Sequence, residues 1–93
     1  MSIRSFGDAE TERLFRIGRS VRWQSVAKLA IRKLDMLNAA CALRDLCSPP
    51  GNRLEAVRGD RAGFQSIRIN DQFRLCFRWT EEGPEHVHII DYH

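Results

Sequence analysis

The side chains best suited to chemistry are a terminal cluster of three residues and a set of arginines. The sequence finishes on Asp91, Tyr92 and His93. A carboxylate can orient an imidazole, His93 can donate or accept a proton near neutral pH, and a tyrosine can donate a hydrogen bond or stack on a base. This combination suits proton transfer. The alternative is a frayed terminus with a tyrosine in the core.

Arginine dominates the basic side chains. Thirteen of the 15 bases are arginine, and only Lys28 and Lys33 are lysine. The planar guanidinium fork matches phosphate oxygens, whereas an ammonium group acts as a point charge. The formal net charge of +3 also fits an ordinary solvated surface. A polyanion-binding surface is therefore expected only if the fold brings the arginines together.

Length and composition set the class of protein. We expect residues 1–93 to form one domain with one modest core. The sequence has no apolar run long enough for a membrane span and no secretory signal, so we expect a cytoplasmic protein without membrane contact. The odd cysteine count, from Cys41, Cys47 and Cys76, predicts buried core thiols in a reducing compartment.

A metal site has little support in the sequence. His86 and His88 form an H-x-H pair on one strand, but no cysteine or paired carboxylate stands at a suitable spacing. We therefore predict no metal and no cofactor, and interpret both histidines as surface residues on a polar strand face.

Local signals predict a short strand at 2–6 and then two helices. Asp8 suits a helix N-cap and Gly18 a helix stop, which predicts a helix over 8–17. Apolar residues then recur along one stripe between residues 25 and 41, which predicts a longer second helix.

A proline- and glycine-rich break at 48–52 separates the helices from a region of period two. Short turns between the following runs favour antiparallel strands. We therefore predict an α+β fold, with the N-terminal strand and two helices packed on one face of a mainly antiparallel sheet. Its predicted strands are 53–57, 64–69, 73–80 and 86–92.

Strict alternation assigns the side chains of the strand 73–80 to two faces. Phe73, Leu75, Phe77 and Trp79 should lie on the helix-covered face. The opposite face should display six arginines that suit a polyanion with defined phosphate geometry, although a polar outer face is also normal for an antiparallel sheet. These candidate polyanion-binding residues are Arg53, Arg58, Arg61, Arg68, Arg74 and Arg78.

Three segments, found in order along nearly the whole chain, resemble a known family. They are Arg53–Arg61 (RLEAVRGDR), Ser66–Leu75 (SIRINDQFRL) and the terminal Asp91–His93 (DYH), and residues 34–40 and 50–54 add to the likeness. Together they resemble the HigB branch of the RelE-like toxins, also called plasmid-maintenance killer proteins. The resemblance implies a compact microbial-RNase-type fold with one sheet face open to RNA.

The resemblance also implies a function. Members are toxins of type II toxin–antitoxin systems that cleave mRNA on the ribosome, through attack by the 2′-hydroxyl and without a metal. The implied partners are a helix-turn-helix, HigA-like antitoxin, the ribosome and mRNA, with DNA contacted only through the antitoxin. By match to the family motif, the implied catalytic residues are Arg58, Arg74, Asp91, Tyr92 and His93.

The sequence departs from the family pattern at two positions. Some members carry a histidine where this chain has Glu55, and a lysine where it has Arg58. Glu55 is therefore a further catalytic candidate, either as the base or as a group that only orients the arginines. The alternative function is a catalytically weak or inactive RNA- or antitoxin-binding module that acts in operon autoregulation.

Overall fold

Two helices and a four-stranded sheet form the framework of the fold. The computed structural model describes residues 2–91, apart from the side chain of Arg61. Short 3-10 turns connect several elements, and no helix among these residues is long and apolar enough to cross a bilayer. The elements are α1 (Ala9–Ile17), α2 (Ala27–Ala39), β1 (Glu55–Ala56), β2 (Gln65–Arg68), β3 (Phe73–Thr80) and β4 (Gly83–Asp91).

Both helices lie close to their predicted positions. Asp8 caps α1 by accepting a hydrogen bond from the Thr11 N–H at 2.7 Å. Gly18 ends α1 with a left-handed φ of 83°, and its N–H donates to the Leu14 carbonyl. A 3-10 turn at Gln24–Val26 precedes α2, so the predicted start near residue 25 is confirmed as the start of helical structure.

The sheet is antiparallel with the order β1-β2-β3-β4. The predicted strand at 2–6 is reduced to one parallel bridge between Phe6 and Val87 of β4. The Ile3 N–H donates to the side-chain oxygen of Asn38 at 2.9 Å, whereas residues 4–7 hydrogen-bond to β4 through the Arg4 and Gly7 N–H groups and the Ser5 carbonyl. β1 is also shorter than predicted, because Arg53 adopts a left-handed conformation before the strand begins.

The core lies between the helices and the sheet. Leu34 and Leu37 of α2 are fully buried and belong to one cluster with Leu75 and Phe77 of β3. Phe73 and Trp79 are part-buried and pack against the same cluster, as predicted for the helix-covered face. Alternation along β3 is therefore confirmed. Burial of these large apolar groups is the main force holding the helices on the sheet.

The cysteines differ from the expectation of three buried thiols. Cys76 in β3 is fully buried, but Cys41 and Cys47 are exposed. The reason is that α2 ends at Ala39, and Ala40 turns to an extended conformation. Cys41 therefore leaves the buried stripe that a longer helix would have continued.

A fully buried asparagine, Asn52, organises the segment that leads into the sheet. Its side-chain amide donates to the carbonyls of Leu46 and Ser48 at 3.1 and 3.3 Å, and its oxygen accepts from the Lys33 ammonium. These bonds join the connection after α2 to the helix itself. They fix where the chain enters β1.

Asn52→Ala should lower the free energy of unfolding by about 1–3 kcal/mol, because it leaves buried carbonyl groups without a donor. Chemical denaturation measures the change. Gln24→Ala is the matched control, since Gln24 is exposed, and it should change stability by less than about 0.5 kcal/mol. Equal stability of the Asn52 variant and the parent would contradict this role.

Candidate active site

Arg74 is the central basic residue of the sheet face that points away from the helices. Its Nε donates to the Ser66 hydroxyl at 2.7 Å, and its Nη2 donates to the Ser66 carbonyl at 3.1 Å and to the Arg53 carbonyl. A carboxylate oxygen of Glu55 lies 3.8 Å from Nη2. The expectation that Arg74 is displayed to solvent is wrong: its side chain is only 7% exposed.

Strand register explains how these groups meet. Arg68 pairs with Arg74 across β2 and β3, and Glu55 pairs with Ser66 across β1 and β2. Directly opposed residues of antiparallel strands share a face of the sheet. Arg53 reaches the same place through a left-handed backbone with φ 46° and ψ 59°, a conformation uncommon outside glycine. Its carbonyl therefore accepts from Arg74 instead of continuing β1.

A depression of about 260 Å³ lies around Arg74, and we call it the arginine pocket. It contains three guanidinium groups and two carboxylates. Arg68 forms an ion pair with Asp71, and Arg74 lies beside Glu55, so part of the positive charge is balanced inside the pocket. Its lining residues are Arg53, Glu55, Arg68, Asn70, Asp71 and Arg74.

Lys33 adds positive charge near the arginine pocket. Burial, together with the charges of Arg32 and Arg68, lowers the pKa of the Lys33 ammonium group. Burial is the largest cause of this lowering, and repulsion by the two guanidinium charges adds to it. A bound anion would relieve this repulsion.

A second depression of about 330 Å³ holds Arg58 and Asp91, and we call it the Asp91 pocket. Asp91 accepts a hydrogen bond from the side-chain amide of Gln72 at 3.2 Å. Its lining residues are Arg22, Trp23, Val57, Arg58, Ile89, Ile90 and Asp91.

The two pockets are neighbours on the sheet. Ile90 lines the Asp91 pocket, Arg74 lines the arginine pocket, and these two residues are cross-strand partners of β3 and β4. The structure therefore brings Arg53, Glu55, Arg68 and Arg74 together in one pocket, and places Arg58 and Asp91 in the pocket beside it.

Sequence reasoning did not assign Arg22 and Trp23 to the site. The Arg22 guanidinium lies 4.9 Å from the Trp23 ring centre, and Trp23 meets Phe73 edge-on at 5.5 Å. The buried Nε1 of Trp23 has no hydrogen-bond partner among the described residues. The sequence did contain a signal for these residues, because an aromatic residue follows a run of basic residues. Surfaces that bind single-stranded nucleic acid often combine aromatic and basic side chains.

Some predicted site residues are not among those that line the two pockets. Arg78 lies at the far end of β3, outside the lining of both pockets, and its Nη2 is 2.6 Å from a Glu85 carboxylate oxygen. The six arginines thus do not form one patch. The side chain of Arg61, and Tyr92 and His93 entirely, lie outside the described residues.

No cluster of three or more histidine, cysteine, aspartate or glutamate side chains suited to a metal occurs within the described part of the chain. His88 lies with its Nδ1 2.7 Å from the His86 carbonyl oxygen, so this ring nitrogen contacts the backbone. The two pockets offer mainly guanidinium donors, which bind anions rather than cations.

Comparison with known proteins first gives the class of fold. The chain superposes on a YoeB/ParE toxin from Agrobacterium tumefaciens with a TM-score of 0.57 and 20% identity, over 100% of both chains. The fold is therefore the α+β fold of that toxin structure, as the sequence predicted.

The family follows from the sequence comparison. Residues 4–93 match the model of the HigB-like toxins, described as the RelE-like toxin of the type II toxin-antitoxin system HigB, and the chain belongs to this family. The resemblance noted in the sequence is confirmed.

Two curated relatives match this chain over part of their length. Toxin HigB-1 of Vibrio cholerae serotype O1 is 47% identical over 57 residues, which cover 61% of this chain and 60% of that protein. An uncharacterized protein of Haemophilus influenzae is 36% identical over 62 residues, covering 67% of this chain and 61% of that protein. The matched stretches thus span less than two thirds of either relative.

Proposed function

We propose that this protein is the toxin of a type II toxin–antitoxin pair and an endoribonuclease that cleaves mRNA on the ribosome. The observation that supports this proposal is the pair of adjoining pockets. One is lined by Arg58 and Asp91, and the other is lined by three arginines and Glu55. Guanidinium donors can stabilise the charge that develops during phosphodiester cleavage, and carboxylates can take part in proton transfer.

The proposed reaction uses the ribose 2′-hydroxyl as the nucleophile. A base removes its proton, the oxygen attacks the adjacent 3′-phosphate, and the bond from phosphorus to the 5′-oxygen breaks. The products are a 2′,3′-cyclic phosphate and a 5′-hydroxyl that takes up a proton from an acid. Arg58 and Arg74 stabilise the negative charge that develops on the phosphate oxygens, which is usually the largest contribution to such catalysis.

Two sets of groups can transfer the protons in this mechanism. His93, oriented by Asp91, is the first, with Tyr92 stacking on a base. Glu55 is the second: its side chain is 49% exposed, and its carboxylate lies 3.8 Å from the Arg74 guanidinium. A carboxylate that is half-exposed can accept a proton from a bound 2′-hydroxyl.

The ribosome has a physical role in this proposal. A site with few proton-transfer groups gains rate when a scaffold holds the 2′-oxygen, the phosphorus and the leaving oxygen in line. The decoding site would supply that scaffold by holding the mRNA extended. Contacts of the arginines that line the two pockets with the RNA backbone should weaken as salt concentration rises.

The family also suggests the regulatory partner. The proposed antitoxin is a HigA-like helix-turn-helix protein that neutralises this chain, and DNA is contacted only through that partner. Purifying the two proteins together, and measuring operator binding with and without the antitoxin, tests this part independently of cleavage.

One observation favours the alternative of a weak or inactive binding module. Asp71 pairs with Arg68, and Glu55 lies beside Arg74. These carboxylates therefore already balance part of the positive charge that would attract a phosphate. Such a protein would still bind RNA or the antitoxin. It would not cut.

Cleavage mapping separates these functions. The purified protein is added to a defined mRNA, alone or in a translating system, and new 5′ ends are mapped by primer extension. Cuts confined to the translated frame with ribosomes present support the proposal. Equal cutting of free mRNA would contradict the dependence on the ribosome. Absence of cutting in both reactions would contradict the nuclease proposal and support the alternative of an inactive binding module.

A further inference from the structure

A cluster of planar side chains lies at the end of the sheet opposite the arginine pocket. The Phe64 ring centre is 5.6 Å from the Arg78 guanidinium carbon, 6.4 Å from the His86 ring and 5.9 Å from the His88 ring. Glu85 accepts from Arg78 Nε at 2.8 Å. We call these five residues the planar cluster. Neither pocket accounts for it.

The planar cluster lies on the same sheet face as Arg74. Residues two apart along a strand share a face, which places Arg78 with Arg74 and Cys76. Cys76 in turn pairs with His88. Arg74 and Arg78 are four residues apart, or roughly 13 Å along β3. One extended single strand of RNA can therefore contact both places.

Two of the planar groups are accessible. The Arg78 side chain is 47% exposed and the His86 side chain is 51% exposed. Both the Nε and the Nη2 of Arg78 contact the same Glu85 oxygen, which fixes the orientation of the guanidinium plane. A plane held in place loses little side-chain entropy when a ring stacks on it.

The backbone of His86 is in an unusual conformation. Its φ is 53°, in the left-handed region, and it lies at a bulge where the register shifts between Cys76 and Arg78. Bulges re-aim side chains, and a residue other than glycine in this conformation costs free energy. The Phe64 contact shows where this bulge directs the imidazole ring.

Charge distinguishes this cluster from the arginine pocket. Glu85 balances Arg78, so the cluster has no excess positive charge from that arginine to attract a phosphate. Aromatic rings and guanidinium planes instead stack on nucleobases. The contacts of Glu85 with Arg78 and His86 use one oxygen, Oε2, so its other oxygen can accept a bond from an exocyclic amino group.

We propose that the planar cluster is a nucleobase-binding site for single-stranded RNA, in which a base stacks on Arg78 and His86 while a phosphate of the same strand lies in the arginine pocket. Glu85 selects bases that carry an amino group, such as cytosine, over uracil. The inference rests on the proposed function, because it assumes that RNA occupies this sheet face.

Binding of uncleavable pentanucleotides tests this site. The probes are 2′-O-methyl pentamers of cytidine, of uridine and of abasic residues, which have equal charge and no 2′-hydroxyl. The parent protein should bind the cytidine pentamer about 5- to 100-fold more tightly than the abasic pentamer, the range expected for stacking of one base. Uridine should fall between them.

Arg78→Lys is the decisive variant, because it keeps the charge and removes the plane. It should lose most of the preference for the cytidine over the abasic pentamer, and His86→Asn, which tolerates a left-handed backbone, should lose part of it. Arg44→Lys, at an exposed arginine outside the sheet, is the matched control and should retain the full difference.

Equal binding of the cytidine and abasic pentamers by the parent, or an undiminished difference in Arg78→Lys, would overturn the inference. The cleavage assay with translating ribosomes is run in parallel on the same proteins. A parent that cuts mRNA but ignores the base fails only this inference. A parent that prefers cytidine but never cuts fails only the proposed nuclease activity.

Discussion

Arg58→Gln should slow cleavage of translated mRNA by about 100- to 1000-fold, the usual effect of removing one donor that stabilises transition-state charge. Arg58 is exposed and lines the Asp91 pocket. The variant should fold normally, with a free energy of unfolding within about 0.5 kcal/mol of the parent, because an exposed side chain contributes little to stability. Single-turnover cleavage rates in a translating system measure the first effect, and chemical denaturation measures the second.

Two further variants show whether charge at position 58 is what matters. Arg58→Lys keeps the positive charge, and some family members carry lysine at the matching position, so it should retain most of the activity. Arg44→Gln removes another exposed arginine, which lines neither pocket, and should cleave like the parent. Parental rates in Arg58→Gln would remove Arg58 from the mechanism.

The parts of the fold that the sequence predicted well are those determined by local or periodic physics. Asp8 and Gly18 fix the ends of α1 through hydrogen bonds within a few residues of each position. Leu75 and Phe77 are buried because alternation in a strand assigns faces without reference to the rest of the fold. Both kinds of information are present in the order of residues alone.

Burial of an arginine could not be predicted in the same way. Alternation correctly placed Arg74 on the face away from the helices, but not the groups that enclose it. Those are the Ser66 hydroxyl from the neighbouring strand and the Arg53 carbonyl, which is available only because the backbone of Arg53 is left-handed. Both contacts come from residues far along the chain, and no periodicity encodes them.

Alternation also does not show which residues of one face lie close together along the strand. Arg74 and Arg78 share a face, but a separation of roughly 13 Å puts them at different ends of the sheet. The ion pair with Glu85 belongs to the hairpin between β3 and β4, and it joins Arg78 to the planar cluster. Trp23 was missed because it lies in a loop that is distant in sequence from the strands of the Asp91 pocket. Only tertiary packing brings it to that pocket.

Arg74→Ala should lower the free energy of unfolding by about 3 kcal/mol, in addition to any effect on cleavage. The side chain donates to the Ser66 hydroxyl, the Ser66 carbonyl and the Arg53 carbonyl. Hydrogen bonds from a charged donor are worth about 1.5–3 kcal/mol each, and the buried acceptors would lose their partner. Glu55 is half-exposed, so water can solvate its carboxylate, and that ion pair should contribute little to the loss.

Arg74→Lys separates the guanidinium fork from the charge. An ammonium group keeps the charge but cannot direct donors at Ser66 and Arg53 together, since it lacks the planar fork. The lysine variant should therefore recover only a small part of the lost stability, as measured by urea denaturation of the three proteins at one pH. Arg53 and Arg68 line the same pocket, so loss of the Arg74 hydrogen bonds should make their positions less fixed. Cleavage should therefore fall in both variants, even at temperatures where they stay folded. A lysine variant as stable as the parent would mean that charge alone holds these strands together, and the hydrogen-bonded fork would not be what shapes the pocket.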